Sequence, residues 1–239
     1  MGINMRICIC DDEKTAIFDI ENRLKKFENS NNVSFEIDSF YSLDECKNGI
    51  LQNDYDVVIM DIEVGDGNGI DALIEIKRDK PDIIVFYVSA YPEYVFFSFE
   101  TEPLNFIKKP IDAEIFNKTI QRAVDKYVSL NESISVKWRH TATELLIKDI
   151  CYIEGYQRHL LYHLINGEKY EAVGKLSKLC TTLLPHGFVQ SHQGFLVNMQ
   201  QIKSFGEDEI YMKNGDTVLM SVRRKLATKQ AYYEYLMRG

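Results

Sequence analysis

The chain has 239 residues, of which 45% are apolar and 27% are charged, and its net charge is −8. With only 13 glycines and 5 prolines it is neither collagen-like, mucin-like nor disordered, and its overall charge argues against nucleic-acid binding. The two halves differ, however. Residues 1–130 carry 14 basic and 25 acidic side chains (net −11), whereas residues 131–239 carry 14 and 11 (net +3), so each half needs its own interpretation.

The cysteines and the N-terminus indicate the compartment. Five cysteines are scattered along the chain without the paired C-x-x-C steps of a zinc site. No signal-peptide layout is present, and no apolar run approaches the roughly 18 residues that span a bilayer. We therefore expect a reduced, cytoplasmic protein that does not insert into a membrane.

The first half alternates strand and helix patterns. Apolar runs predict strands at 6–10, 34–40, 55–60, 83–88 and 105–107. Apolar residues spaced three to four apart predict helices at 13–27, 70–76, 93–99 and 114–128. This alternation predicts an α/β fold, a doubly wound, five-stranded parallel sheet with its chemistry at the carboxyl ends of the strands.

The second half is predicted to be mostly β. Alternating segments predict strands at 144–147, 160–165, 169–173, 209–212 and 217–220, with turns at Asn166-Gly167 and Asn214-Gly215. Helical patterns cover residues 173–184 and the chain from Val222 onward. A polar junction at 129–135 places the domain boundary between 1–130 and 131–239.

Carboxylates follow two strands that adjoin in such a sheet. Asp11, Asp12 and Glu13 follow the first strand, and Asp61 follows the third. Converging carboxylates repel one another unless a cation neutralises them, and an oxygen-only set without His or Cys favours Mg²⁺. The alternative is that Asp11 or Asp12 simply caps the first helix.

Two further strand ends supply a hydroxyl and an ammonium. Ser89 ends the fourth strand, and Lys109 follows the fifth. Because Pro110 keeps Lys109 out of the helical region, its side chain is free to reach across the cleft, although it could also be a solvated surface lysine. Carboxylate, metal, hydroxyl and ammonium together suit the transfer of a phosphoryl group to a carboxylate.

These residues resemble the CheY-like receiver domains of two-component response regulators. The resemblance covers about residues 5–128, and it rests on Asp11-Asp12, on Asp61 with Gly69 eight residues later, on Ser89-Ala90 and on Lys109-Pro110. It implies that Asp61 takes a phosphoryl group from a sensor histidine kinase. It also implies that Mg²⁺ is bound directly by Asp12, Asp61 and the Glu63 carbonyl, and by Asp11 through water. Ser89 and Lys109 would contact the phosphoryl group. Phe106 would turn inward on activation. The segment 62–66 departs from the Met-Pro-Gly usual there, which predicts a more mobile loop.

The second half carries no sequence pattern of an enzyme site. Its five histidines lack metalloprotease spacing, and no nucleophilic serine motif or paired strand-end acids occur. Polar and basic clusters lie instead at 156–159, 191–194 and 221–225. Such side chains suit contacts with phosphates and base edges, although each cluster alone could be a solvated loop tip.

Together the clusters resemble the LytTR family of DNA-binding domains over about residues 133–237. The resemblance is carried by 150–154, 188–198 and 221–223. It implies double-stranded DNA as partner, with contacts from Arg158 or His159, from Gln193 and from Arg223. The family more often has Arg at 190, and Arg, Lys or Asn followed by Ser at 193–194, which leaves the base preference open. His192 is interpreted as structural.

The combined interpretation is a phosphorylation-controlled DNA-binding regulator rather than an enzyme, apart from its own phosphorylation and dephosphorylation. Phosphorylated receivers are expected to form a homodimer whose output domains bind paired DNA sites. Phe96, Phe97, Phe99 and Phe106 are the candidate dimer patch. One alternative is a protein-interaction output module. The other is an aspartyl-phosphate phosphatase, but such enzymes carry a D-x-D nucleophile after the first strand, whereas Asp61 follows the third.

Overall fold

The computed structural model describes residues 3–139 and 141–237, and it divides the chain into two units, residues 1–129 and residues 130–239. This division lies beside the boundary expected between residues 130 and 131. None of the helices within the described residues is long and apolar enough to cross a membrane.

The first unit is built on a parallel sheet. Its strands are β1 Ile3–Cys10, β2 Val33–Phe40, β3 Val57–Met60, β4 Ile84–Ser89 and β5 Asn105–Lys108, in the order β2-β1-β3-β4-β5. Every residue of β3 and β4 is buried, because helices cover both faces of the sheet. The predicted doubly wound fold is confirmed. Since β1 and β3 are neighbours, the residues that follow them meet at one edge.

Two helices of this unit differ from expectation. The helices are α1 Lys14–Ser30, α2 Leu43–Gln52, α3 Gly69–Asp79, α4 Val95–Ser98 and α5 Ala113–Asn131. The sequence patterns missed α2, since it buries only Cys46, Gly49 and Ile50 and is otherwise largely polar. The helix predicted at 93–99 is a single α-helical turn between 3₁₀ turns, because only Ser98 of α4 is buried and no apolar face packs against the sheet.

The second unit is strand-rich, as predicted. Its strands are β6 Ser133–Trp138, β7 Thr141–Leu146, β8 Ile150–Tyr156, β9 His159–Leu164, β10 Lys169–Val173, β11 Phe188–His192, β12 Phe195–Asn198, β13 Ile202–Phe205, β14 Glu209–Met212 and β15 Thr217–Leu219. Five of them form a sheet in the order β10-β9-β8-β12-β11, while β6 pairs with β7 and β13-β14-β15 form a third sheet. Both predicted turns are confirmed, with Gly167 and Gly215 at positive φ.

Two helices complete the second unit, α6 Leu176–Leu183 and α7 Lys225–Leu236. Both begin three residues after their predicted starts. Val173 stays in β10 because it pairs with His159 of β9, and the backbone N–H of Gly174 bonds to the Arg158 carbonyl, so the chain is still extended there. The five-stranded sheet has one core on each face: Ile153 and Leu196 pack in the core that includes Leu176 of α6, whereas Tyr152 packs in the other.

Candidate functional sites

An ammonium joins two carboxylates at the edge of the first sheet. Asp11 follows β1, Asp61 follows β3 and Lys109 follows β5. Lys109 Nζ lies 2.8 Å from Asp11 Oδ2 and 2.6 Å from Asp61 Oδ2, and both carboxylates are buried. Lys109 therefore reaches across the cleft, as predicted from its place before Pro110, and it is not a solvated surface lysine.

The charges of this cluster depend on one another. Burial raises the pKa of the Asp11 carboxyl, although the Lys109 ammonium and the Glu13 backbone N–H oppose that rise. Burial lowers the pKa of the Lys109 ammonium, but its hydrogen bonds to Asp11 and Asp61 outweigh burial and raise that pKa. The ammonium is therefore held charged where a phosphoryl oxygen could approach.

The remaining acidic residues line the same edge. Asp12 is exposed, and its Oδ2 accepts a hydrogen bond of 3.1 Å from the Gly65 backbone N–H. The Glu63 side chain is exposed and accepts a 3.3 Å hydrogen bond from the Tyr94 hydroxyl, a contact that the sequence did not indicate. The helix-capping alternative was wrong, because the residue before α1 is Glu13 and no side chain caps it.

Ser89 and Phe106 occupy the strands on the far side of Asp61. Ser89 is fully buried at the end of β4, and its Oγ accepts a 3.4 Å hydrogen bond from the Tyr91 backbone N–H. Phe106 in β5 is partly buried, with its ring centroid 6.4 Å from that of Tyr87. The structure thus groups Ser89 with Lys109, whose backbone N–H bonds to the Ser89 carbonyl, and it pairs Phe106 of β5 with Tyr87 of β4.

Gly69 allows α3 to start against the acidic edge. A Cβ atom at this position would lie 2.2 Å from the Asp61 carbonyl oxygen and 2.7 Å from Met60 Cγ. The Gly69 N–H also bonds to the Ile62 carbonyl at 2.7 Å. Only glycine fits this approach without moving the backbone that carries Asp61.

Three of the four phenylalanines proposed as a patch are exposed. Phe96, Phe97 and Phe99 have exposed fractions of 81%, 68% and 61%, whereas Phe106 packs against the core. The Tyr87 and Thr101 hydroxyls form a 3.0 Å hydrogen bond, which ties the segment that follows α4 to the sheet. The patch therefore lies on a short segment anchored at its base.

The three predicted DNA-contacting clusters lie around one end of the five-stranded sheet, here called the loop end. Tyr156 pairs with His159, so Gln157 and Arg158 form a two-residue turn, with Gln157 at a φ of 57°. Arg158 is exposed at its tip. His159 is exposed as well, but its ring lies 6.0 Å from the ring of Trp138, which favours Arg158 as the outermost side chain.

The second cluster lies beside the first. The Gly155 backbone N–H bonds to the Gly194 carbonyl at 2.8 Å, which joins the two loops. Gln193 is exposed. His192 Nδ1 accepts a 3.1 Å hydrogen bond from the Gly194 N–H, so its ring shapes the turn, in agreement with the structural role expected for it.

The third cluster is tied to β11. The Ser221 backbone N–H bonds to the Ser191 carbonyl at 3.0 Å, and the Ser191 hydroxyl donates to the Leu219 carbonyl. Arg224 reaches the Gln190 carbonyl, whereas Arg223 beside it is exposed. All three clusters thus converge on the loop end, although the strand patterns had not predicted β11 and β12, which bring them together.

A buried histidine in β9, toward the end of the sheet opposite the loop end, was not predicted to have a role. His163 in β9 is 4% exposed, and its ring stacks on Tyr152 at 4.0 Å. Its two ring nitrogens lie 3.7 Å from Glu154 and 3.6 Å from Asp216, beyond hydrogen-bonding distance. Burial lowers the pKa of His163 despite both carboxylates.

Comparisons with known proteins show which families this chain is similar to. A family model of the response regulator receiver domain matches residues 7–121, and one of the LytTr DNA-binding domain matches residues 141–232. The chain is 24% identical to Sensory transduction protein LytT of Bacillus subtilis (strain 168), over 91% of this chain and 94% of that protein. It is 23% identical to Transcriptional regulatory protein LytR of Staphylococcus aureus (strain N315), over 83% and 85%. A solved receiver domain from Clostridium thermocellum is 23% identical and covers 51% of this chain and 95% of its own, with a TM-score of 0.45.

Proposed function

The chain belongs to the response regulators that join a receiver domain to a LytTR DNA-binding domain and regulate transcription under phosphorylation control, and we propose that Asp61 is its phosphoacceptor. The observation that carries this proposal is the Lys109 ammonium 2.6 Å from the Asp61 carboxylate. A phosphohistidine of a sensor kinase is the proposed donor. An Asp61 oxygen attacks its phosphorus, the phosphorus–nitrogen bond breaks and the imidazole leaves, while Lys109 and Ser89 stabilise the charge on the transferred oxygens.

The donor set at this edge fits Mg²⁺. Asp11 is 1% exposed and Asp61 is 7% exposed, and their oxygens are the hard ligands that this cation prefers. Within the described residues, no three His, Cys, Asp or Glu side chains are already arranged around one point as a metal site. We propose that Asp12, Asp61 and the Glu63 carbonyl would hold the ion directly and Asp11 through water. When bound, it would neutralise charge on the phosphoryl oxygens.

We assign DNA contacts to Arg158, Gln193 and Arg223, with His159 the alternative in the first loop. Their exposure and their convergence on the loop end support this assignment. Arg223 and Gln193 suit guanine and adenine edges respectively. The five cysteines are free thiols, which supports a reducing compartment, and we place the protein in the cytoplasm with its DNA.

We also propose that phosphorylation promotes dimerisation through the exposed patch of Phe96, Phe97 and Phe99. Two output domains would then bind paired sites with two-fold symmetry. Sedimentation of the full chain at micromolar concentration, with and without a phosphoryl mimic, tests this proposal. A monomer under both conditions would remove it.

Two experiments test the central assignments. The wild type incubated with Mg²⁺ and a small phosphodonor should be labelled, and Asp61→Asn should not; equal labelling would refute the phosphoacceptor assignment. Arg223→Ala should lose about 1–3 kcal/mol of specific DNA binding. A log-linear loss of DNA affinity with salt would support the DNA-binding output, whereas a protein-interaction module would not show it.

A further inference from the structure

The start of α6 lies between the first two loops of the loop end. An open groove there is lined by Gln157 from the first loop, by Gln190 and Gln193 from the second, and by Lys175 and Ser177 from the chain that enters α6. The sequence patterns gave this segment no functional role, because it was predicted to lie in the first turn of the helix at 173–184. The groove thus has a basic residue between the loops assigned to DNA.

Backbone contacts on either side of Lys175 fix its position. The Gly174 N–H bonds to the Arg158 carbonyl at 2.9 Å, which holds the residue before Lys175 against the first loop. On the other side, Leu176 is buried, and a Cβ atom on Gly155 would lie 3.0 Å from Leu176 Cβ. Because its neighbours are held by β8 and β9, Lys175 is presented at a defined place.

The charge of Lys175 is available to a ligand. Its side chain is exposed, and among the described residues no ion pair joins it to a carboxylate. Glu154 also lines the groove, but it is half-buried and its Oε2 lies 3.7 Å from His163 Nε2. The Gly174 N–H, directly before Lys175, bonds to the carbonyl of Arg158, and the Arg158 side chain is itself an exposed cation of the first loop.

We infer that Lys175 binds a phosphate of the DNA backbone that crosses the groove between the two loops. This inference rests on the proposed DNA-binding function. A lysine ammonium is a compact point charge that suits a phosphate oxygen, whereas base edges are read better by forked or amide side chains. Phosphate contacts fix the position of a protein on the duplex without reading its sequence. Lys175 therefore contributes to affinity, and Arg223 and Gln193 to sequence preference.

The test compares full-length Lys175→Ala with the wild type on two duplexes, one selected from random sequence by the wild type and one scrambled version of it. Fluorescence anisotropy over about 50–300 mM salt gives the slope of log affinity against log salt. The slope is negative, and we expect its magnitude to decrease by about 1 in Lys175→Ala, because one phosphate contact is lost. The affinity for both duplexes should fall by a similar factor. The ratio of the two affinities should stay unchanged.

Two variants serve as controls. Lys175→Arg keeps the positive charge and should keep the slope. Lys169→Ala removes an exposed lysine at the opposite end of the sheet, where Lys169 pairs with His163, and should leave the slope as in the wild type. Equal thermal unfolding of the variants shows that folding is not the cause.

The outcomes are distinguishable. An unchanged slope in Lys175→Ala overturns the phosphate contact while the DNA-binding function stands. A loss confined to the selected duplex also overturns it, because Lys175 would then read bases. If the wild type itself binds neither duplex in a salt-dependent way, the proposed DNA-binding function fails and this inference fails with it.

Discussion

Replacing Lys109 by methionine should destabilise the first unit strongly, because it leaves two buried carboxylates without their shared cation. Two oxygens that bond to one nitrogen lie roughly 5 Å apart, and their repulsion at an effective dielectric constant of about 20 is about 3 kcal/mol. Breaking a buried ion pair by removing one partner typically costs about 3–5 kcal/mol. The Lys109 side chain is 18% exposed, so we expect the lower end of that range, about 3 kcal/mol at pH 7.

The loss should shrink as the pH falls. Burial already raises the pKa of Asp11, and Lys109 is the main group that opposes the rise. Without Lys109 the folded-state pKa rises further above the unfolded value. A carboxyl with a raised folded-state pKa stabilises the fold at low pH and loses that stabilisation as the pH rises through the folded value. Lys109→Met should therefore approach the wild type as the pH falls toward the ordinary pKa of an aspartate carboxyl, about 4. Asp11→Asn in the same background should restore most of the loss at pH 7.

Urea unfolding followed by two signals makes the measurement specific. The single tryptophan, Trp138, lies in the second unit, so its fluorescence reports that unit, while far-UV circular dichroism follows both. Lys108→Met is the matched control, since Lys108 is exposed and its loss should cost less than about 0.5 kcal/mol. If the free energy of unfolding of Lys109→Met, measured by circular dichroism at pH 7, lies within about 0.5 kcal/mol of the wild-type value, the shared-cation argument is refuted.

Three further outcomes are expected. Gly69→Ala should slow labelling of Asp61, because its Cβ would lie 2.2 Å from the Asp61 carbonyl oxygen; labelling at the wild-type rate would contradict this. Because the pKa of His163 is lowered in the folded state, the free energy of unfolding of the wild type should decrease below about pH 6.5, by at most about 1.4 kcal/mol per pH unit. His163→Phe should remove this decrease. Phe97→Arg should prevent dimerisation on phosphorylation without reducing labelling, as sedimentation and labelling of the same sample would show.

The sequence predicted the first fold well because its strands are buried on both faces. A continuous apolar run predicts a strand without any knowledge of the strand with which it pairs. The residues that follow β1, β3 and β5 in a parallel sheet must then meet at one edge. The cluster of Asp11, Asp61 and Lys109 followed from that topology. What could not be predicted was α2, because a helix with three buried residues leaves little periodic signal, and the extent of α4, where exposed phenylalanines imitate an apolar face.

The second unit was harder because its site depends on strand pairing. Gln193 and Arg158 are 35 positions apart, and they meet only because β8 pairs with both β9 and β12. Local patterns carry no information on such pairing. The position of Lys175 depends in turn on the packing of Leu176 against Gly155, which no spacing rule contains.

The small net charge of the second half does not measure its attraction for DNA. Acidic residues such as Glu168 lie at the end of the sheet opposite the loop end, because the turn between β9 and β10 is there. Near the loop end Arg158, Lys175 and Arg223 are exposed, while Glu154 lies beside His163. Screening limits surface charges to about 8 Å at physiological salt, so a phosphate at the loop end is affected mainly by these nearby cations. A net charge of +3 is therefore compatible with DNA binding that depends on a few placed side chains and on pairing of two output domains.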